Sequence, residues 1–178
     1  MILSINDHLS LHTLDRTHSN SIFQLVIEDQ AYLSPWLPWV GLVRAPSFFD
    51  NYADASQLRR KHGGEFAFVI KENDTIVGRI GLYKIDTQNH IGEIGYWISS
   101  SSQGKGLITQ ATQRLLTFGF EELKLNRIEL KCAIGNTKSQ AVPERLGFTK
   151  EGIARQAEFL HGVYVDIVVY SKLKSEFV

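Results

Sequence analysis

Apolar residues recur along the chain in two kinds of pattern, one typical of strands and one typical of helices. Residues 9–14 partly alternate between apolar and polar, as a half-buried strand does. Three strand-like runs follow further along, at residues 66–70, 76–85 and 91–98. Because Asn73 and Asp74 form one polar turn and a second polar turn follows residue 85, these runs predict an antiparallel meander.

Helical patterns occupy much of the remaining sequence. Thr17 can cap a helix that runs to about residue 29, and Ser47 can cap another that ends at the glycines 63 and 64. A third helix of about 18 residues follows the sequence QGKG and has one apolar face, formed by Ile108, Ala111, Leu115 and Phe118. A short fourth helix ends before Gly147. The proline- and tryptophan-rich segment at 33–39 predicts a loop.

The order of these elements predicts the class of fold. A strand-like segment at 126–134 separates the last two helices, and two closing strands lie on either side of Gly162. A strand–helix–strand unit late in a mostly antiparallel sheet indicates an α/β fold of the α+β type, with about seven strands in a mixed sheet and about four flanking helices. Since no repeat, low-complexity tract or linker interrupts the sequence, we expect a single domain over residues 1–178.

The composition narrows the partners and the compartment. The 178 residues include 19 basic and 19 acidic side chains and 43% hydrophobic residues, which is typical of a globular domain. Because charge-driven binding to nucleic acid or to an anionic membrane requires a basic surplus, we expect neither partner. The single cysteine, Cys132, excludes an internal disulfide, and the sequence contains neither a signal-peptide pattern nor a long apolar segment. These features predict a cytoplasmic protein.

The sequence QGKG at 103–106 is the first candidate for chemistry, because it connects a predicted strand to a helix start. A helix start presents unpaired N–H groups and partial positive charge, which suit a pyrophosphate. Gly104 and Gly106 allow the backbone close to a phosphate, and Thr109 adds a hydroxyl donor. Ser99 replaces the first glycine of a P-loop, and Thr109 replaces the last small residue of a Rossmann fingerprint. A tight turn without a ligand stays open as the alternative.

Several further motifs occur in a defined order. They are GEIGYWI at 92–98, QGKG at 103–106, FEEL at 120–123, LNRIEL at 125–130, and NTKS at 136–139 followed by ERLGF at 144–148. Through them the chain resembles, over residues 8–175, the GNAT superfamily of N-acetyltransferases, in the branch of RimJ/RimL-like ribosomal-protein N-terminal acetyltransferases. AVPERLGF at 141–148 resembles in particular a Bacillus branch of ribosomal acetyltransferases. The resemblance implies a GNAT fold, acetyl-CoA as the co-substrate and no metal.

The resemblance also implies where acetyl-CoA binds. The pantetheine arm pairs with the strand at Tyr96, Trp97 and Ile98, and Asn136 hydrogen-bonds it. The pyrophosphate lies on the loop and helix start, formed by Gln103, Gly104, Lys105, Gly106, Leu107, Ile108 and Thr109. The family has Gly or Ala at the last position of its loop motif, where this chain has Ile108, so that contact stays open.

Acetyl transfer to an amine requires an uncharged amine, donors for the oxyanion and a proton for the departing thiolate. The resemblance implies Glu93 as the base, directly or through water, with a salt-bridge role as the alternative. It also implies that backbone N–H groups near Ile98 hold the oxyanion. Pro143 stands where many relatives have a tyrosine acid, so the resemblance implies Ser139 as the acid, with helix capping as the alternative.

Other residues carry weaker indications. Cys132 lies in mid-strand between Leu130 and Ile134, which predicts core packing rather than a covalent acyl-enzyme. The six histidines include no set at ligand spacing, so we expect no metal site. Trp36 and Trp39 either wall the acceptor site or pack as a lid over the core.

Three functions follow from the resemblance. The leading one is acetylation of a protein N-terminal α-amine, with a ribosomal protein as the acceptor, because an α-amine has a pKa of about 7.7–8.0 and needs only a modest base. The second is acetylation of a small amine such as a polyamine, an antibiotic or a toxic peptide-nucleotide. The third is a non-catalytic module that binds acyl-CoA. A homodimer is a further expectation, since exposed strand edges offer surfaces for pairing.

Overall fold

The computed structural model describes residues 1–177 and contains one sheet of eight strands. The strands are β1 (Ile2–Ser4), β2 (Leu9–Thr13), β3 (Phe66–Glu72), β4 (Thr75–Asp86), β5 (Ile91–Ile98), β6 (Arg127–Ala133), β7 (Thr149–Leu160) and β8 (Val163–Leu173). Their order across the sheet is β1-β2-β3-β4-β5-β6-β8-β7. β5 and β6 pair in parallel and the other six neighbouring pairs are antiparallel, which confirms the predicted mixed sheet.

Five α-helices flank the sheet within the described residues. They are α1 (Ser19–Glu28), α2 (Gln30–Leu33), α3 (Ser47–Lys61), α4 (Leu107–Thr117) and α5 (Thr137–Arg145). A π-helical turn, Phe118–Glu122, extends α4. Short 3-10 helices lie between the larger elements, among them Pro38–Leu42, which overlaps the end of the segment predicted as a loop.

The sequence-based prediction differs from the structure in four places. The predicted cap at Ser47 is wrong, because Ser47 is the first residue of α3, Pro46 is the N-cap residue and no side chain caps the helix. β1 is an additional strand, in which Leu3 is buried and pairs with Leu11 of β2. α2 is an additional helix of one turn at the edge of the predicted loop. The predicted cap at Thr17 is wrong: Asp15 caps a 3-10 turn, and α1 begins two residues after Thr17 at Ser19.

Different helices cover the two faces of the sheet and enclose two clusters of buried apolar side chains. α4 covers the face on which Phe68 and Ile70 of β3 are buried, and α1 and α3 cover the face on which Ala67 and Val69 are buried. Consecutive residues of β3 therefore face opposite cores, which explains why this strand reads as a continuous apolar run. None of the helices within residues 1–177 has the length and apolar character needed to cross a membrane.

The parallel pair opens partway along its length. Ile91 to Ile94 of β5 pair with residues 127–130 of β6, and the register ends there. β5 nevertheless continues to Ile98 and β6 to Ala133. Because the two strands no longer pair with each other beyond this point, the sheet contains a wedge-shaped gap between β5 and β6.

Candidate active site

A cavity of about 1600 Å³ occupies the gap between β5 and β6 and reaches both faces of the sheet. Because side chains alternate along a strand, Tyr96 and Ile98 of β5 line it from one face, and Gly95 and Trp97 line it from the other. The part on the second face, called here the aromatic half, is formed by Trp36, Trp39, Tyr52, Arg79, Tyr83 and Trp97. The gap therefore joins two differently lined spaces.

The start of α4 lines the cavity on the other face. Gly104 and Gly106 both have φ of +74°, a left-handed conformation that favours glycine, and Gly106 is the N-cap residue of α4. No side chain caps this helix, so the N–H groups of its first turn lack intrahelical partners. The predicted residues that line the cavity here are Gln103, Gly104, Gly106, Leu107, Ile108 and Thr109.

Two residues at this helix start, Lys105 and Ile108, differ from the other residues of the predicted pyrophosphate loop. Lys105 does not belong to the cavity lining, and its Nζ lies 3.0 Å from a carboxylate oxygen of Glu72. Ile108, which departs from the family motif, is 8% exposed and packs into the core beneath α4. Its side chain is thus accommodated by the apolar core, and the departure leaves the glycine turn intact.

Sequence reasoning missed two basic residues of α5 that line the same part of the cavity, Lys138 and Arg145. Lys138 Nζ donates to Gln103 Oε1 at 2.9 Å and so links α5 to the glycine loop. Both cations lie on the side of the cavity that contains the helix start, where they suit phosphate groups. The sequence offered one signal for them: both are basic residues on the short helix that follows β6 and contains Ser139.

Three side chains from three elements meet where the two parts of the cavity join. Cys132 Sγ donates to Ser139 Oγ at 3.3 Å, and Ser139 Oγ donates to Tyr96 Oη at 3.3 Å. Tyr96 Oη in turn donates to the backbone oxygen of Ser139 at 2.9 Å. Ser139 therefore lies between a thiol and a phenol, and both Cys132 and Tyr96 have side chains that sequence reasoning did not place here.

Pro143 explains how Tyr96 reaches the backbone of α5. A helical N–H normally donates to the carbonyl four residues earlier, which for residue 143 is Ser139. Proline has no N–H, so this carbonyl stays free of a helical donor and accepts from Tyr96 instead. The residue that replaces the usual tyrosine acid thereby also fixes the position of Ser139 and Tyr96 relative to each other.

Burial favours the protonated forms of the Cys132 thiol and the Tyr96 phenol. Burial raises the pKa of the Cys132 thiol to about 11, against its usual 9.0, although the Ser139 hydrogen bond lowers it. Burial likewise raises the pKa of Tyr96 well above its usual range. Both groups are therefore protonated at neutral pH, and Cys132 is a poor nucleophile.

Glu93, the predicted base, lies outside the cavity lining. Its carboxylate accepts from Lys84 Nζ at 3.2 Å and from Lys131 Nζ at 2.8 Å, and its side chain is 20% exposed. The structure thus shows the salt-bridge arrangement that was the alternative for this residue. Glu93 shares a strand face with Gly95, two residues from the cavity wall, so its role as base stays a prediction.

The remaining predicted residues also lie at the cavity. Asn136 is the N-cap residue of α5, and its Oδ1 accepts from the Ser139 backbone N–H at 3.1 Å, so capping uses this oxygen. Trp36 and Trp39 line the aromatic half, and the ring centroids of Trp39 and Trp97 are 6.2 Å apart. Within residues 1–177 no group of three or more His, Cys, Asp or Glu side chains could hold a metal ion.

The acetyltransferase (GNAT) domain family matches residues 8–149 of the chain. YdaF of Bacillus subtilis (strain 168) is 38% identical over 177 residues, which cover 97% of this chain and 94% of YdaF. The ribosomal-protein-serine acetyltransferase of Escherichia coli (strain K12) is 30% identical over 171 residues, which cover 96% of each protein.

A solved structure with similar architecture contains a bound cofactor. RimL, a ribosomal L7/L12 alpha-N-protein acetyltransferase in complex with coenzyme A, superposes with a TM-score of 0.94 at 29% sequence identity over 99% of both chains. In that RimL complex, coenzyme A forms a disulfide with a cysteine.

Proposed function

The chain belongs to the GNAT family of acetyltransferases, as its motifs predicted, and we propose that it transfers the acetyl group of acetyl-CoA to the N-terminal α-amine of a ribosomal protein. The observation that supports this most strongly is the cavity through the sheet. It joins an uncapped helix start, the Ser139 cluster and an aromatic half within one space. The acceptor class rests on similarity to the two ribosomal-protein acetyltransferases described above.

The residues present suit acetyl-CoA as a co-substrate. The first turn of α4 offers free N–H groups, and Lys138 and Arg145 add positive charge for phosphates. The unpaired backbone of β5 in the gap offers hydrogen-bonding groups to an amide-containing arm such as pantetheine. When bound, acetyl-CoA supplies an acetyl thioester whose sulfur leaves as a thiolate.

Ser139 is the proposed proton donor for that thiolate. Its hydroxyl lies at the junction of the two parts of the cavity, and Cys132 can donate to it as its own proton departs. Tyr96 holds Ser139 in place through two hydrogen bonds. Direct transfer to the amine is favoured over an acyl-cysteine, because a thiol with a pKa of about 11 is protonated at neutral pH.

Glu93 is the proposed base, acting through water. Its carboxylate lies two residues along β5 from Gly95, which lines the cavity, and a direct contact with the amine is not required if water transfers the proton. A polyamine is disfavoured as the acceptor, because Glu158 is the one carboxylate among the cavity-lining residues of the described chain.

The test measures acetyl transfer to three acceptors: a serine-initiated peptide, the same peptide with a blocked N-terminus, and a polyamine. We expect acetylation of the free α-amine alone, detected by mass spectrometry. Glu93→Gln should lower kcat by about 100-fold, and Glu121→Gln on the remote π-helical turn should leave it unchanged. Modification of the polyamine alone would exclude an α-amine acceptor, and an unchanged kcat in Glu93→Gln would leave Glu93 as an ion-pair partner.

The compartment and the oligomeric state complete the proposal. We propose the cytoplasm as the compartment, because a chain with one cysteine forms no internal disulfide, which suits a reducing environment. The homodimer stays a prediction, for which sedimentation of the purified chain is the direct measurement. We propose no nucleic-acid or membrane partner, since the basic and acidic residues balance.

A further inference from the structure

Arg79 is a buried cation on the floor of the aromatic half. Its residue is 6% exposed, and it lines the cavity from β4, directly opposite Trp97 of β5. Within residues 1–177 its buried Nε has no hydrogen-bond partner. A charged guanidinium is costly to bury without partners, so this position indicates a missing hydrogen-bond acceptor.

The neighbours of Arg79 do not neutralise it. Its guanidinium carbon lies 4.1 Å from the centre of the Tyr52 ring, and Arg59 lies 5.6 Å from the same ring. Glu65, the carboxylate that Tyr52 contacts, accepts from the Tyr52 hydroxyl at 3.2 Å and from Arg59. Glu65 is thus paired with Arg59, and no carboxylate of the described residues forms an ion pair with Arg79.

Lys131 of β6, another cation that lines the cavity, differs from Arg79 because it has ion-pair partners. Lys131 donates to Glu93 at 2.8 Å and lies 2.9 Å from a carboxylate oxygen of Glu129. Its charge is therefore compensated on the protein side. Among the cavity-lining cations of the described residues, Arg79 has a buried N–H without a hydrogen-bond partner.

Arg79 and Tyr83 line the cavity from the same strand, β4. A Cβ on Gly81 would lie 2.6 Å from the Tyr83 ring, so glycine allows this ring to lie across the strand. Arg79 and Tyr83 share a face of β4 on either side of Gly81. Cross-strand neighbours such as Arg79 and Trp97 have Cα atoms about 5 Å apart, which places the guanidinium one strand from the gap.

We propose that Arg79 binds a carboxylate of the acceptor, carried close to the amine that is acetylated. This inference rests on the acetyltransferase function proposed above and adds a specificity element to it. A guanidinium presents N–H donors in a planar fork that matches a carboxylate, and stacking on Tyr52 holds the fork in place. The carboxylate has two possible sources, an acidic side chain in the first residues of a protein or the C-terminus of a short peptide.

The experiment compares acceptors that differ by this group. In the first arm, peptides begin with serine, have an amidated C-terminus and contain Asp or Asn at the second or third position. In the second arm, a serine dipeptide with a free C-terminus is compared with the same dipeptide amidated. We expect kcat/KM to be about 10- to 100-fold higher for the carboxylate than for its amide, as for a charged hydrogen bond. The arm with the larger ratio identifies the source.

Variants assign the preference to Arg79. Arg79→Gln should lower kcat/KM for the acidic peptide toward the value of the amide peptide and leave the amide peptide unaffected. Arg79→Lys should retain part of the preference, because it keeps the charge and loses the fork. Arg16→Gln, which removes a surface cation paired with Asp54, should leave the preference unchanged. Equal rates for acid and amide in the unaltered protein, or the same ratio in Arg79→Gln, would overturn the inference.

A second measurement does not depend on turnover. Trp39 and Trp97 lie in the aromatic half, so quenching of tryptophan fluorescence reports binding of N-acetylated product peptides without acetyl-CoA. We expect the acidic product to bind about 10-fold or more tightly than its amide, and Arg79→Gln to remove the difference. If no peptide is acetylated but this difference is present, the proposed function fails and the carboxylate site stands. If peptides are acetylated without any acid preference, the proposed function stands and the carboxylate site fails.

Discussion

Replacing Ser139 by alanine should lower kcat strongly and the free energy of unfolding only slightly, and the contacts of Ser139 allow both effects to be estimated. The change removes the hydroxyl between Cys132 and Tyr96, with both distances at 3.3 Å. Tyr96 keeps its 2.9 Å hydrogen bond to the backbone oxygen of residue 139, which the substitution does not alter. The thiol of Cys132 loses its acceptor, and a thiol is a weak donor.

The expected loss of folding free energy is therefore small, about 1 kcal/mol, which corresponds to about 2–4 °C in the unfolding midpoint of a chain of this size. The catalytic effect should be much larger, because loss of a general acid typically lowers kcat by a factor of about 100 to 10,000. KM for acetyl-CoA should change little, since the hydroxyl acts on the departing sulfur.

The assay combines steady-state release of free CoA with thermal unfolding of the same samples. Ser19→Ala is the matched control, because the Ser19 hydroxyl is buried without a partner among the described residues and lies on α1. The control should retain kcat. The reasoning is refuted if Ser139→Ala keeps kcat within about twofold, or if its unfolding midpoint falls so far that lost activity reflects unfolding.

Further predictions follow from other contacts. Pro143→Ala supplies an N–H that competes with Tyr96 for the Ser139 carbonyl, so kcat should fall by about 10-fold. The unfolding midpoint, measured by calorimetry, should be unchanged or higher, because the helix gains a hydrogen bond. Hydrogen bonds from Arg127 and from the Ser171 hydroxyl lower the pKa of Glu151 to about 2 from 4.5. Its stabilising effect is therefore complete above about pH 4.5 and lost as the pH falls toward 2, so urea midpoints of Glu151→Gln and the unaltered chain should differ near pH 6 and converge near pH 2. Iodoacetamide near pH 8 should modify Cys132 about 100-fold more slowly than a free thiol, as measured by mass spectrometry, because the thiolate is rare.

Local patterns were sufficient for most of the fold. The meander follows from runs separated by polar turns, and Gly106 at the start of α4 follows from the glycine pair. β1 could not be predicted in this way, because three residues with one buried side chain form no repeat. The predicted cap at Thr17 was wrong because Asp15 caps a 3-10 turn over residues 16–18, and α1 follows this turn without a side-chain cap.

The site was less accessible to sequence reasoning, because its key contacts join distant parts of the chain. The alternation around Cys132 indicated core packing, and the residue is indeed 4% exposed, yet its thiol contacts Ser139 at the cavity. Arg79 reads as an ordinary polar strand residue, since its burial depends on Tyr52 from α3. The pairing of Glu93 with Lys131 depends on the parallel register of β5 and β6, which no local pattern encodes.

Acetylation of ribosomal proteins with free N-termini tests the central claim most directly. The chain is incubated with acetyl-CoA and these proteins, and peptide mass spectrometry locates each acetyl group. We predict an acetyl group on the α-amine of a ribosomal protein, formed by the unaltered chain and by Ser19→Ala and strongly reduced with Ser139→Ala. Acetyl groups on lysine side chains alone, or acetylation that Ser139→Ala performs at the full rate, would contradict the account.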